Sequence, residues 1–275
     1  MDLLFQAIVI GAIQGLTEFL PVSSSAHLIV APELLGWHDP FLNSATFDVM
    51  LHAGTLIALL VYFWRDVVRL LRAARDAIRD RSLAGDPDRR LAALLAISIV
   101  PAALLGVAFE SFFDTYFRDN LLLIPLIMLL GALFLWVADR WGRGTRDLDQ
   151  GRVQDAVVIG GAQALALFPG TSRSGVTIAT GLLLGLTREA AARFAFLMGI
   201  PIITGATLWK LRSLASGGVS GDDLVTMLAG MASAAIFGLI AIGFLLRYLR
   251  SHGLGIFVAY RIGFAIVVGA LLLAR

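Results

Sequence analysis

Apolar positions along this chain come in long runs with few interruptions, not at the three-to-four spacing of a helix half-buried on a soluble domain. Runs at 49–64, 91–109, 121–138, 190–208, 224–246 and 254–274 approach the roughly 20 residues a helix needs to cross a bilayer, and predict six spans. Two further apolar stretches, 3–36 and 153–185, differ. Each is broken near its centre by proline and a cluster of hydroxyl residues: GAIQGLTEFLPVSSSAHLI from Gly11, and GGAQALALFPGTSRSGVTI from Gly160. Pairing Gln14 with Gln163, Phe19 with Phe168 and Pro21 with Pro169 takes one gap and sets Ser24 on Ser172.

Chance similarity between two stretches rich in small apolar residues is the competing explanation. The spacing favours duplication, because three plain spans come after each broken stretch. Three is odd, so the second half must enter the membrane from the opposite side. The expected architecture is therefore all-α and polytopic: six transmembrane helices and two re-entrant helix hairpins in an interdigitated inverted-topology repeat. It forms one membrane domain, 1–275, with repeats at 1–140 and 151–275. Broken segments at matching places in two halves point to a site at the bilayer midplane. Their interrupted backbone must be buried in protein or line a wet cavity, because lipid cannot satisfy it.

Composition sharpens this. The chain is 58% hydrophobic and 15% charged, with a mean hydropathy of +0.84; soluble domains run at about 25% charged. A soluble enzyme and a disordered chain are both excluded. The net charge of +2 matters less than where the cations lie. Eight arginines fall in the link 65–90 and four in 140–152, with Arg247 and Arg250 expected on the same face. Arg118, Lys210, Arg212 and Arg275 fall opposite. The arginine-rich side is expected to be cytoplasmic, with both termini outside. Five aspartates interleave with the arginines of 65–90, which favours a solvated amphipathic loop over a nucleic-acid or head-group patch. The absence of cysteine excludes disulfides, thiolate metal sites and a cysteine nucleophile. Asp2, Gln14 and Glu18 interrupt the first stretch, so it reads as mature protein and not as a signal peptide.

Ionisable residues inside apolar segments are expensive and mark function by default. Glu18, His27 and Arg173 stand out. Gln14 and Glu18 share a helix face. Ser23, Ser24 and Ser25 come after the break at Pro21 as an N-cap signal, and His27 lies on the Ser24 side of the half-helix beyond it. In the second stretch, Pro169-Gly170-Thr171-Ser172-Arg173-Ser174-Gly175 reads as a turn opening a helix. Free N–H groups there favour an anion, Arg173 adds a fork suited to phosphate, and Thr177 can face the same pocket. Plainer readings exist: Glu18 and Arg173 as a buried ion pair, His27 as a satisfied core histidine, the serines as caps, and Asp48 and His52 as interfacial residues. Arg261, inside the last span, needs a buried partner or water.

QGLTEFLPVSSSAHL and PGTSRSGVT resemble the two signature motifs of the undecaprenyl-diphosphatase family, also called the bacitracin-resistance protein family, and the resemblance covers essentially the whole chain. It implies removal of the terminal phosphate of a C55 polyprenyl diphosphate at the outer face of the bacterial plasma membrane. That regenerates the monophosphate lipid carrier for peptidoglycan synthesis. It also implies assistance by a divalent cation (Mg2+ or Ca2+) and frequent homodimers. The family's first motif opens with Glu or Gln, here Gln14. Glu18 with Gln14 would hold the cation, while Arg173 with the N–H groups near Ser172 and Ser174 would hold the diphosphate. Ser24 with His27 as base, His27 itself, or a water activated by His27 would attack. A transporter or flippase of the lipid phosphate is the alternative, since broken helices in inverted repeats also build carriers. The Ser24–His27 pair beside Glu18 is what transport would not require.

Overall fold

A computed structural model describes residues 2–214 and 221–274; the side chains of 45, 102, 106–119, 210–214 and 221–222 are not part of that description. Arg275 and the side chains of Arg118, Lys210 and Arg212 therefore lie outside the described residues. Among the described residues the chain is all-helical, with no strand and one isolated bridge between Arg146 and Leu186. The first half contains α1 (Leu3–Phe19), α2 (Ser24–Leu35), α3 (Ala45–Tyr62), α4 (Trp64–Asp80), α5 (Pro87–Asp119) and α6 (Leu123–Trp141). The second contains α7 (Val153–Gln163), which runs into a 3-10 turn at Ala164–Leu167, then α8 (Arg173–Leu183), α9 (Arg188–Leu214), α10 (Gly221–Tyr248) and α11 (Gly255–Leu273).

Four helices among the described residues (α6, α9, α10 and α11) are long and apolar enough to cross a membrane, and α3 with α4 makes a fifth if that bent pair is one span. The chain is thus a multi-pass membrane protein. The helices that precede the two breaks, α1 and α7, are apolar but short. The 65–90 link, expected as a loop, is mostly the helix α4, bent 80° from α3. Its apolar residues recur at helical spacing, so Leu70 and Ala73 are buried while arginines on its more exposed face pair with aspartates, as in Arg69–Asp66 at 2.7 Å.

Packing crosses between the halves. α1 lies against α10, and α7 lies against α5; α3 meets α9, and α6 meets α11. Small residues permit this closeness, as they do in helix pairs without a hydrophobic drive to associate. A Cβ on Gly11 would overlap the Gly230 carbonyl of α10, and one on Gly160 would overlap the Ser98 carbonyl of α5. Ion pairs gather several helix ends at one end of the bundle. Arg188 reaches Asp139 at 2.7 Å, Arg193 reaches Asp66 at 3.1 Å, and Arg146 reaches Asp155 at 2.7 Å. These contacts leave the two breaks, between α1 and α2 and between α7 and α8, facing each other inside the bundle.

Candidate active site

Each break is built the same way. Ser23 and Ser172 sit at the N-caps of α2 and α8 with φ/ψ of 74/93 and 72/111. A non-glycine residue at positive φ costs about 1–3 kcal/mol and persists where its surroundings over-determine it. Here the surroundings are a lattice of hydroxyls. Ser23 Oγ lies 3.2 Å from Ser25 Oγ, and Ser172 Oγ lies 3.1 Å from Ser174 Oγ. The two turns also hold each other: Ser174 donates to the Leu20 carbonyl at 3.0 Å, and Gly170 N–H donates to Ser25 Oγ at 3.4 Å.

The structural register differs from the one expected. Gln14 and Gln163, Phe19 and Phe168, and Ser23 and Ser172 all keep one separation, so no gap is needed. Ser24 is thereby the counterpart of Arg173, and not of Ser172. Proline position misleads because the backbone turns at the positive-φ serine that ends each break, whichever residue before it is proline.

Both counterparts converge on one carboxylate. Arg173 Nη2 lies 2.5 Å from Glu18 Oε1, and Ser24 Oγ donates to Glu18 Oε2 at 2.6 Å. Gln14 Nε2 donates to the same oxygen at 3.2 Å, as the four-residue spacing on α1 requires. The Gln14 oxygen is buried with no hydrogen-bond partner among the described residues. A small cavity of about 10 Å³ opens beside the pair, lined by Glu18, Arg173, Ser174 and Thr177 and walled by Phe19 and Phe196.

The other candidates divide by what they touch. Ser172 Oγ accepts from Gly175 N–H at 3.1 Å and caps α8. Thr177 lines the cavity, but its hydroxyl donates back to the Arg173 carbonyl at 2.7 Å. Ser172, Arg173 and Ser174 open α8, and no acceptor for their backbone N–H groups occurs among the described residues. His27 is placed differently from the expectation. Its Nδ1 meets the Ser23 carbonyl at 2.7 Å, and its Nε2 meets the Tyr260 hydroxyl at 2.7 Å, with Phe264 stacked at 4.2 Å. A ring nitrogen facing a carbonyl must carry the proton, so in the neutral imidazole Nε2 accepts from tyrosine. Both nitrogens are occupied, and the imidazole packs against Tyr260 and Phe264 of α11.

Tyr260 carried no signal of its own in the sequence, because tyrosine inside a span is common and its partner lies in the other half. Arg261 was visible as a charge in a span; its partners are backbone carbonyls, which no residue type announces.

Whether a divalent cation suits this site can be judged from its donors. Among the described residues no group of three or more His, Cys, Asp or Glu is placed to hold a metal. Glu18 and the unpartnered Gln14 oxygen supply two hard oxygen donors on one face. Two protein oxygens match what Mg2+ takes, with phosphate oxygens or water completing its shell, and are few for Ca2+, which takes roughly six to eight oxygens.

Residues 7–267 match the family described as Bacitracin resistance protein BacA. The chain is 47% identical over 259 residues to an undecaprenyl-diphosphatase of Pelobacter propionicus, covering 94% of this chain and 93% of that one. It is 46% identical to one from Moorella thermoacetica, over 98% of both chains. With one from Geobacter sulfurreducens it shares 44% identity over the full length of both.

Proposed function

The chain belongs to the bacitracin-resistance protein BacA family, and on that premise we propose that it is a membrane phosphatase. It hydrolyses undecaprenyl diphosphate to undecaprenyl phosphate and inorganic phosphate, recycling the lipid carrier of cell-wall synthesis. The observation that carries the reading at the site is the convergence of Arg173 and Ser24, from opposite breaks, on the two oxygens of Glu18. An ion pair alone would fix the halves together. A hydroxyl donating to the same carboxylate adds a nucleophile with its proton acceptor already in place.

In phosphoryl transfer the protein supplies mainly positioning and charge neutralisation. The diphosphate docks at the mouth of the cavity with its oxygens on the Arg173 fork and the free N–H groups opening α8. Ser24 Oγ attacks the terminal phosphorus and its proton passes to Glu18. The bond from that phosphorus to the bridging oxygen breaks, and undecaprenyl phosphate departs. Water then attacks the phosphoserine, releasing inorganic phosphate, and the serine oxygen recovers the proton. His27 holds the Ser23 carbonyl and so fixes the turn from which Ser24 projects. Glu18 and Gln14 would hold a divalent cation, which when bound supplies charge neutralisation at the phosphate oxygens.

The finer architecture belongs to the same proposal: six spans (α3, α5, α6, α9, α10 and α11), re-entrant pairs α1–α2 and α7–α8, and inverted repeats at 1–140 and 151–275. The reciprocal packing of α1 on α10 and α7 on α5 supports it. An arginine-rich cytoplasmic side, a site open to the outer face and a homodimer are carried by the arginine distribution and the family resemblance. The lipid tail needs no pocket and stays in the bilayer.

Purified protein in detergent, given undecaprenyl diphosphate, should release inorganic phosphate and lose that activity with chelator. Arg173→Ala should cost about 10²–10³-fold in turnover, as removal of one preorganised donor does. No release with any cation would move the assignment to a carrier of the lipid phosphate.

A further inference from the structure

Arg261 has no place in the chemistry above, yet its guanidinium is the largest fully buried side chain among the described residues, 0% exposed in the middle of a bundle built for lipid. Among the described residues all its hydrogen bonds go to backbone carbonyls: Nε to Met128 at 3.2 Å, Nη1 to Pro21 at 3.3 Å and Thr171 at 3.1 Å, and Nη2 to Gly170 at 2.6 Å. One side chain on α11 thus ties α6, the first break and the second break. No carboxylate pairs with it among the described residues. A buried charge is normally paired, because desolvation otherwise penalises it. Carbonyls satisfy its N–H groups and leave its charge uncompensated.

Of the peptide groups it grips, those of Gly170–Thr171 and Pro21–Val22 spend their N–H ends on the Phe168 and Leu20 carbonyls, and Thr171–Ser172 does not. The Thr171 carbonyl is bonded to the Ser172 nitrogen, whose N–H is among those left free at the start of α8. A cation on the carbonyl end of a peptide polarises the N–H end as a donor. Gly131, on α6, makes room for the fork, since a Cβ there would overlap Nη2.

We propose that Arg261 is a positioning residue for the diphosphate: its fork locks the two breaks in register, and its charge backs the Ser172 amide that receives the anion. This deepens the phosphatase reading and rests on it. The fork and the charge are separable. Arg261→Lys keeps the charge and loses the planar reach across three elements. Arg261→Met loses both.

The test is steady-state phosphate release from undecaprenyl diphosphate by the purified full chain. Arg261→Lys is expected to lower kcat by at least about tenfold with KM within threefold of the parent, whereas Arg261→Met raises KM by about tenfold as well. A merely structural role would lower the active fraction, and hence kcat, with KM unmoved in both. Gly131→Ala crowds the fork while leaving Arg261 in place, so it should reproduce the Lys phenotype, and combining it with Arg261→Lys should add little. Near-parental kcat and KM in Gly131→Ala and Arg261→Lys would overturn the proposal, as would an unmoved KM in Arg261→Met. Should Arg261→Met fail to fold, the Gly131→Ala and Lys results decide. Arg173→Ala runs alongside: if it stays active, the phosphatase reading of the site fails; if it is inactive while the Arg261 and Gly131 variants work normally, only this inference fails.

Discussion

The two breaks share a backbone and present different side chains. Ser23 and Ser172 turn alike, at φ 74 and 72, and each is braced by a second serine two residues on. The side chain just past each turn differs: the first turn presents a hydroxyl at Ser24, the second a guanidinium at Arg173. The helices leading into the turns differ too. Gln14 finds Glu18 four residues on, while its counterpart Gln163 finds Leu167 and keeps its amide unpartnered among the described residues, buried at 4% exposure. In the proposed mechanism the first break would supply a nucleophile and base, and the second an anion clamp. A symmetric pair would have supplied two of one and none of the other.

Removing the nucleophile should be the strongest way to break this division. Ser24→Ala is expected to lose about 10³-fold or more in turnover, in line with nucleophile deletions that act as one unit with their base. Substrate labelled in the terminal phosphate should leave acid-stable label on the parent and on His27→Ala, and none on Ser24→Ala. Acid-labile label that vanishes in His27→Ala would transfer the role to the imidazole. A smaller effect is expected from Tyr260→Phe, which removes one neutral hydrogen bond and leaves the imidazole stacked on Phe264. That costs about 1 kcal/mol, read as a loss of less than about tenfold in kcat. The smallest concerns the copy that carries no base. Gln163→Leu removes an unsatisfied buried amide and should raise thermal stability in detergent by about 1 kcal/mol, with phosphate release unchanged. A large loss of activity there would mean that the two copies share the chemistry.

Much of this was legible in the order of residues. Glu18 and Arg173 were visible because carboxylate and guanidinium are rare in apolar stretches, and their meeting followed from two broken segments that must both avoid lipid. The hydroxyl clusters marked the turns. The register at the breaks was hidden, because a serine at positive φ has no signature comparable to glycine, and the prolines drew the alignment off by one. The direction of His27 was hidden for a related reason: its tautomer depends on a carbonyl one turn back and on Tyr260 in the other half. Helical periodicity in 65–90 was present, yet its charge density suggested a loop; tertiary burial of Leu70 and Ala73 settles it as helix.

The central claim is that Glu18 and Arg173, brought from opposite halves to 2.5 Å, act on one diphosphate. Phosphate release by Glu18→Gln, Arg173→Ala and the double variant addresses it most directly. Both single variants should fall by at least about 10²-fold, and the double should be little worse than the weaker single, because residues acting as a unit are not additive. Near-parental release in either single variant, or losses that multiply in the double, would contradict the account.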